Sequence, residues 1–144
     1  MTRFSGHLTL RMAPGADGTA WHLAEPMSYA SQPQGPGQGA VFTLRPGLRT
    51  DGASIPRAFW RVLGCPLRDR HAPAAVLHDA LYATELLPRD RADALFLEAL
   101  QDIGVPAWRS RTLWAGVRAG GAMVWSGHIP EQVRSAREYL EVRL

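Results

Sequence analysis

The sequence predicts an α+β fold, in which a small antiparallel sheet from the N-terminal third packs on a helical hairpin and further C-terminal helices. Residues 1–48 contain short apolar runs separated by turn residues, a pattern typical of strands. From residue 55 onward the apolar residues recur at helical spacing. The chain has 144 residues, 46% of them hydrophobic, which suffices for one core but not for two ordinary domains. We therefore expect a single domain spanning residues 1–144.

In the strand-rich part, residues 4–12 alternate loosely between apolar and polar, and residues 20–24 and 40–44 are short apolar runs. Between the last two runs, residues 31–39 read SQPQGPGQG. This proline and glycine content excludes regular structure, so we expect a mobile loop or the tip of a hairpin there.

The helical part, residues 55–144, is predicted to contain helical stretches at 57–63, 73–87, 90–103, 108–125 and 131–144. Ser54 and Pro56 are a helix-start signal, and Pro88 ends the second helix. The second and third helices therefore form an antiparallel hairpin. The fourth helix carries Trp108, Trp114 and Trp125, and core packing is favoured for them over contact with a lipid surface.

Composition excludes several classes of protein. The net charge is +3, and the basic residues, all of them arginine, are spread along the chain, so nucleic-acid binding is not expected. Cys65 is the only cysteine, which excludes an intramolecular disulfide. The first residues lack the apolar run of a signal peptide, and no apolar run approaches the roughly 18 residues of a membrane span.

A polar constellation interrupts the apolar hairpin. His78 and Tyr82 are four residues apart on one helical face, and Asp79 lies beside that face. The short turn between the helices places Tyr82 opposite Asp93, and it places His78 about one helical turn, or ~6 Å, along the axis from Asp93. We therefore expect these side chains to converge on one site.

An imidazole oriented by a carboxylate is the usual arrangement of a general base. Asp93 would orient His78, and His78 would take a proton from water. Asp79 would then be available to hold a hard cation together with carbonyl oxygens of a nearby loop. Asp51, in the turn TDGAS, is the best candidate for that loop. This hypothesis requires the second nitrogen of His78, and Asp79, to face an open cleft near Asp51.

Other interpretations of these residues remain open. A buried hydrogen bond between His78 and Asp93 would by itself pin the hairpin together. Asp51 fits a simple turn, and Ser54 fits a helix cap better than a nucleophile. Cys65 with His71 or His78 would form a thiol nucleophile pair, although no local feature activates it. The alternative zinc site would comprise Cys65, His71, His78 and Asp79, a spacing that matches no standard zinc pattern.

Three segments of the chain resemble a known family. TDGASIPRAFW at 50–60, AAVLHDALY at 74–82 and RADALFLEAL at 91–100, followed by GVPAWR, look like the domain of unknown function one-three-five-three of bacteriophages and prophages. This resemblance implies a phage or prophage origin. The expected location is then a virion or the host cell, and the expected partners are other virion proteins or a cell-envelope substrate.

A second resemblance is to phospholipases A2, whose His-Asp-x-x-Tyr helix is similar to His78, Asp79 and Tyr82. Their second helix is similar to Asp93 and the apolar residues that follow it. The resemblance implies His78 as base, Asp93 as its partner, Asp79 as a calcium ligand and Tyr82 as a supporting residue. The glycine-rich calcium loop and the disulfides of those enzymes are not recognisable.

These observations predict a phage-encoded, metal-assisted hydrolase of a lipid or cell-envelope ester or amide. Its catalytic residues would be His78, Asp93 and Tyr82, and Asp79 and Asp51 would hold the metal, Ca²⁺ or alternatively Zn²⁺. The competing hypothesis is a non-enzymatic virion component, such as a tail or connector accessory protein, in which the polar cluster is structural.

Overall fold

The computed structural model describes residues 2–15, 18–33, 39–50 and 70–144. The strands are β1 (Phe4–Ser5), β2 (Leu10–Gly15), β3 (Gly18–Leu23), β4 (Met27–Ala30), β5 (Val41–Leu44), β6 (Arg49–Thr50) and β7 (Leu140–Arg143). The α-helices are α1 (Ala72–Thr84), α2 (Arg89–Asp102), α3 (Ala107–Ser126) and α4 (Pro130–Ala136), and a 3-10 helix (Arg137–Tyr139) joins α4 to β7. These elements confirm the predicted α+β class.

The strands form two antiparallel sheets, where the sequence predicted one. One sheet has the order β1-β4-β5-β7, and the other has the order β2-β3-β6. β4 and β5 pair from Met27 opposite Leu44 to Ala30 opposite Val41. Ser31 and Ala40 continue this pairing through a backbone hydrogen bond, so residues 31–39 connect the two strands of a hairpin, as predicted.

The hairpin of α1 and α2 carries the apolar stripes expected from the sequence. Both helices bury them in one core with the sheet residues Tyr29, Phe42 and Leu44. Helix α1 ends where Glu85 adopts a left-handed backbone with φ 46°, and its amide donates to the carbonyl of Leu81. Proline at position 88 then immediately precedes α2. Four residues therefore separate the two helices, which favours antiparallel neighbours.

The C-terminal tail corrects the predicted helix over 131–144. Helix α4 ends at Ala136, and Leu140–Arg143 forms β7, which pairs with β5 from Leu44 opposite Leu140 to Val41 opposite Arg143. Val133, Ala136 and Leu140 fit a helical spacing, but Leu140 and Val142 also fit the period of a strand. The open edge of β5 decides between the two patterns, because its backbone groups gain hydrogen-bonding partners from β7.

Helix α3 is continuous from Ala107 to Ser126, as predicted. Its buried face consists mainly of small residues and valine or leucine. Trp108 is 69% exposed, so the prediction that this tryptophan packs in the core is wrong. Within the described ranges, no helix is both long enough and apolar enough to cross a membrane. The helix predicted at 57–63 lies outside the described residues.

Candidate functional site

The hairpin brings His78, Tyr82 and Asp93 into direct contact, which confirms the predicted convergence for these three side chains but not for Asp79. His78 Nε2 lies 2.7 Å from Asp93 Oδ1, and the Tyr82 hydroxyl donates to the same oxygen at 2.7 Å. The ring centroids of His78 and Tyr82 are 4.3 Å apart. His78 and Asp93 are both 0% exposed. The contact therefore lies in the interior of the hairpin, shielded from bulk water.

Asp93 is held as a carboxylate. Burial raises the pKa of Asp93, but hydrogen bonds from His78, Tyr82 and Arg118 outweigh burial and leave that pKa below its usual value. Arg118 Nη1 reaches Asp93 Oδ2 at 2.7 Å from helix α3. An ionised carboxylate only accepts hydrogen bonds, so His78 Nε2 must carry the proton that it shares with Asp93.

The remaining ring nitrogen of His78 is the chemically open atom of the cluster. Nδ1 is buried and has no hydrogen-bond partner among the described residues. In a neutral ring with its proton on Nε2, Nδ1 carries a lone pair. A buried nitrogen without a partner is a costly feature in a protein interior. The arrangement is thus an oriented imidazole whose second nitrogen is buried and has no described hydrogen-bond partner.

Tyr82 fits this site because helix α3 has a glycine opposite its hydroxyl. A Cβ atom at Gly121 would overlap Tyr82 Oη and would lie 3.1 Å from two ring carbons. Burial and the hydrogen bond to Asp93 also raise the pKa of Tyr82, so the hydroxyl stays protonated and donates. The edge of Trp125 packs against the same ring, with centroids 5.1 Å apart.

A Gly121→Ala substitution is expected to lower the free energy of unfolding by about 1–3 kcal/mol, because the new methyl group must displace the Tyr82 hydroxyl. Gly116→Ala is the matched control, because Gly116 is buried in the same helix and no described atom lies within 4 Å of its added Cβ. The control should be neutral or stabilising by up to about 1 kcal/mol, the helix preference for alanine. Urea unfolding of both variants measures the difference, and equal values would contradict the close packing of Tyr82 on α3.

Asp79 faces a different environment from His78. Its carboxylate accepts a hydrogen bond from the hydroxyl of Thr50, at the end of β6. Asp79 is 9% exposed and, with Tyr82, lines a cleft of about 640 Å³ between the β6 region, α1 and α4. His78 is not among the described residues that line this cleft. Asp79 therefore lies at a cleft, whereas His78, which was expected at the same opening, is fully buried and does not line it. The expected position of Asp51 beside this cleft stays a prediction, because Asp51 lies outside the described residues.

Several predicted residues lie outside the described part of the chain. Asp51, Ser54 and Cys65 fall in the undescribed range 51–69. Thr50, immediately before Asp51, contacts Asp79, so the chain enters the TDGAS segment beside the candidate cation ligand. His71 is buried at the start of α1. Within residues 2–15, 18–33, 39–50 and 70–144, no group of three or more His, Cys, Asp or Glu side chains is arranged to hold a metal.

Arg118 and Gly121 belong to the site but were not identified from the sequence as site residues. Both lie on α3, which packs against α2. Arg118 is one of several arginines along this helix, and nothing in its local sequence distinguishes it from Arg109 or Arg111. The only sequence signal available is the spacing of Arg118 from the buried face of α3, which consists of Ser110, Leu113, Gly116, Val117 and Gly121.

Comparison with known proteins identifies relatives of the chain. An uncharacterised protein, y4jT, from Sinorhizobium fredii is 30% identical over 83 residues, or 58% of this chain. The match covers 25% of y4jT, so the chain spans only about a quarter of the length of this relative. No solved structure matches the chain.

The family described as "Protein of unknown function (DUF1353)" matches residues 21–117. The matched range includes His78, Asp79, Tyr82 and Asp93 and ends one residue before Arg118. Because the match extends over more than half of the sequence, the chain belongs to the DUF1353 family.

Proposed function

We propose that the chain is a hydrolase of a lipid or cell-envelope ester or amide, in which His78 is the general base. The observation that carries this proposal is the pairing of His78 Nε2 with Asp93 at 2.7 Å, which leaves Nδ1 without a described hydrogen-bond partner. A carboxylate that fixes the proton on one ring nitrogen makes the other nitrogen a directed proton acceptor.

In the proposed reaction, a local opening beside α1 admits a water molecule to the buried ring, and Nδ1 of His78 takes a proton from it. The resulting hydroxide attacks the carbonyl carbon of the ester or amide. Nδ1 then returns the proton to the leaving oxygen or nitrogen, so the net reaction consumes one water and releases an acid and an alcohol or amine. Asp93 stabilises the imidazolium that forms during attack, and Tyr82 holds Asp93 in place through its hydrogen bond.

Asp79 is the proposed ligand for a divalent cation. Its carboxylate lies on the wall of the cleft beside the Thr50 hydroxyl, and oxygen donors of this kind fit a hard cation such as Ca²⁺ better than Zn²⁺. Asp51 is the proposed second ligand, because it follows Thr50 directly. A bound cation would supply positive charge for the oxygen that becomes negative during attack.

An Asp79→Asn variant is expected to bind Ca²⁺ at least about tenfold more weakly than the unmodified chain, because a neutral amide replaces the anionic ligand. Isothermal titration calorimetry with CaCl₂, and separately with ZnCl₂, measures the affinity. Asp90→Asn, an exposed aspartate in the first turn of α2, is the control and should bind as the unmodified chain does. No heat above the buffer signal with either salt would contradict a cation site.

Phage or prophage origin is part of the same proposal. It is supported by the three segments that resemble a domain of bacteriophages and prophages. A phage hydrolase of this kind would act on the envelope of the host. The gene would be expected to lie among virion or lysis genes. A location among metabolic genes in most genomes that carry it would count against this origin.

The cluster also supports a second candidate, a non-enzymatic virion component such as a tail or connector accessory protein. The observation in its favour is that Asp93, 0% exposed, accepts hydrogen bonds from α1 and α3 while belonging to α2. Such a carboxylate holds three helices together, which is a structural role that needs no substrate. Detection of the chain in purified particles, combined with an absence of turnover, would favour this candidate over the hydrolase.

A further inference from the structure

Arg118 is the third partner of the buried carboxylate and reaches it from a helix outside the hairpin. Its Nη1 donates to Oδ2 of Asp93, while His78 and Tyr82 both use Oδ1. The two oxygens of Asp93 therefore have separate partners. One carboxylate oxygen thus bonds the proposed base, and the other bonds the arginine.

The backbone of Arg118 is held against α2 by a hydrogen bond. Its backbone carbonyl accepts a hydrogen bond from Arg89 Nη2 at 2.9 Å, which ties α3 to the start of α2. The Arg118 side chain is 37% exposed, whereas Asp93 is 0% exposed. The guanidinium group of Arg118 therefore contacts both solvent and the buried carboxylate. This is possible because the long aliphatic part of the side chain can pack on apolar surface while the guanidinium stays partly hydrated.

We propose that Arg118 is a positioning residue, which holds Asp93 in the orientation that presents Oδ1 to His78. The inference rests on the proposed function of His78 as a base. Without Arg118, Oδ2 would lose the only hydrogen-bond donor that the described residues give it. A buried carboxylate in that state either rotates to find another donor or takes up a proton. Both outcomes weaken the hydrogen bond that orients His78.

Within the described ranges, helices α1 and α3 place charged or titratable side chains against Asp93. His78 and Tyr82 face it from α1, and Arg118 faces it from α3. Arg89, at the start of α2, contributes positive charge near Tyr82. Arg118 is the only fixed cation in this group with a direct hydrogen bond to the carboxylate. Removing it should therefore affect Asp93 more than removing any other arginine of the described ranges.

The test compares Arg118→Gln, which can retain a hydrogen bond without charge, with Arg118→Lys, which retains the charge. Arg111→Ala, an exposed arginine on the same helix, is the control. Carbon-13 NMR of the Asp93 side-chain carboxyl measures the pKa of that group directly. We expect the pKa to rise by about one unit or more in Arg118→Gln. Arg118→Lys should restore most of the original value, and Arg111→Ala should leave it unchanged.

A second readout follows the hydrogen bond itself. The His78 Nε2 proton should give a protected downfield proton resonance in the unmodified chain and lose that protection in Arg118→Gln. Turnover, where measurable, should fall by about 10- to 100-fold in the same variant. An unchanged Asp93 pKa and an unchanged His78 resonance in folded Arg118→Gln would overturn the proposal. If these signals change but the unmodified chain hydrolyses nothing, the positioning role stands and the proposed hydrolase activity fails.

Discussion

A His78→Gln variant is expected to hydrolyse its ester or amide substrate about 100- to 10 000-fold more slowly than the unmodified chain, the range expected for loss of a general base. Glutamine retains an N–H group that can donate to Asp93, but its side chain has no basic nitrogen at neutral pH. Glutamine is preferred over alanine here because His78 is fully buried, and alanine would leave a cavity. Initial rates on a panel of lipid and envelope esters, measured with Ca²⁺ present, test this expectation.

His7→Gln is the matched control for this substitution. His7 is exposed, lies outside the cluster and does not line the cleft. The control should retain full activity, which would show that the loss is specific to the buried imidazole. Turnover by His78→Gln at the rate of the unmodified chain would exclude His78 as the base, even if the protein proves to be a hydrolase.

The largest expected effect on stability comes from Asp93→Ala. We expect the free energy of unfolding to fall by about 3–5 kcal/mol, because the change leaves the His78 and Tyr82 donors buried without their acceptor. Arg118 also loses its partner, although its partial exposure lets water solvate the charge. Urea unfolding followed by circular dichroism measures the loss. Asp90→Ala, an exposed aspartate in the same helix, should change stability by less than about 1 kcal/mol.

An Asp93→Ala variant as stable as the Asp90→Ala control would contradict the buried network. Acid provides an independent check, because the pKa of Asp93 is lower in the folded state than its ordinary value of 3.8. Its stabilisation is therefore complete above that value and is lost as the pH falls through the lower folded pKa. The stability difference between the unmodified chain and Asp93→Asn should shrink as the pH falls from above 3.8 through the lower folded pKa. A constant difference would show that the charge of Asp93 contributes nothing.

The helical hairpin could be predicted closely because its signals are local. Apolar residues at helical spacing define both helices, and Pro88 marks the boundary between them. The tail could not be predicted in the same way. Leu140 and Val142 become a strand only because β5 offers an unpaired edge, and that partner is almost a hundred residues away in the sequence. Pairing between distant segments depends on the assembled sheet, which no local pattern records.

The part of the candidate site that lies within the helical hairpin could be predicted from helical geometry. The four-residue spacing of His78 and Tyr82, with a short turn to Asp93, was enough to predict their contact. Arg118 comes from a third helix, whose rotation about its axis is set by packing. The cleft beside Asp79 is likewise formed by β6, α1 and α4, so its walls are distant in sequence. His78 proved to be fully buried because α1 is buried on nearly all sides.

The central claim is that His78 presents an unprotonated Nδ1, and nitrogen-15 NMR of the histidine rings tests it without any substrate. The chain has five histidines, and His78→Gln identifies the signals of His78 by their disappearance. We predict that Nε2 carries the proton shared with Asp93 and that Nδ1 carries a lone pair. A ring protonated on Nδ1, either as the other tautomer or as a persistent imidazolium, would contradict the account, because such a ring cannot accept a proton from water.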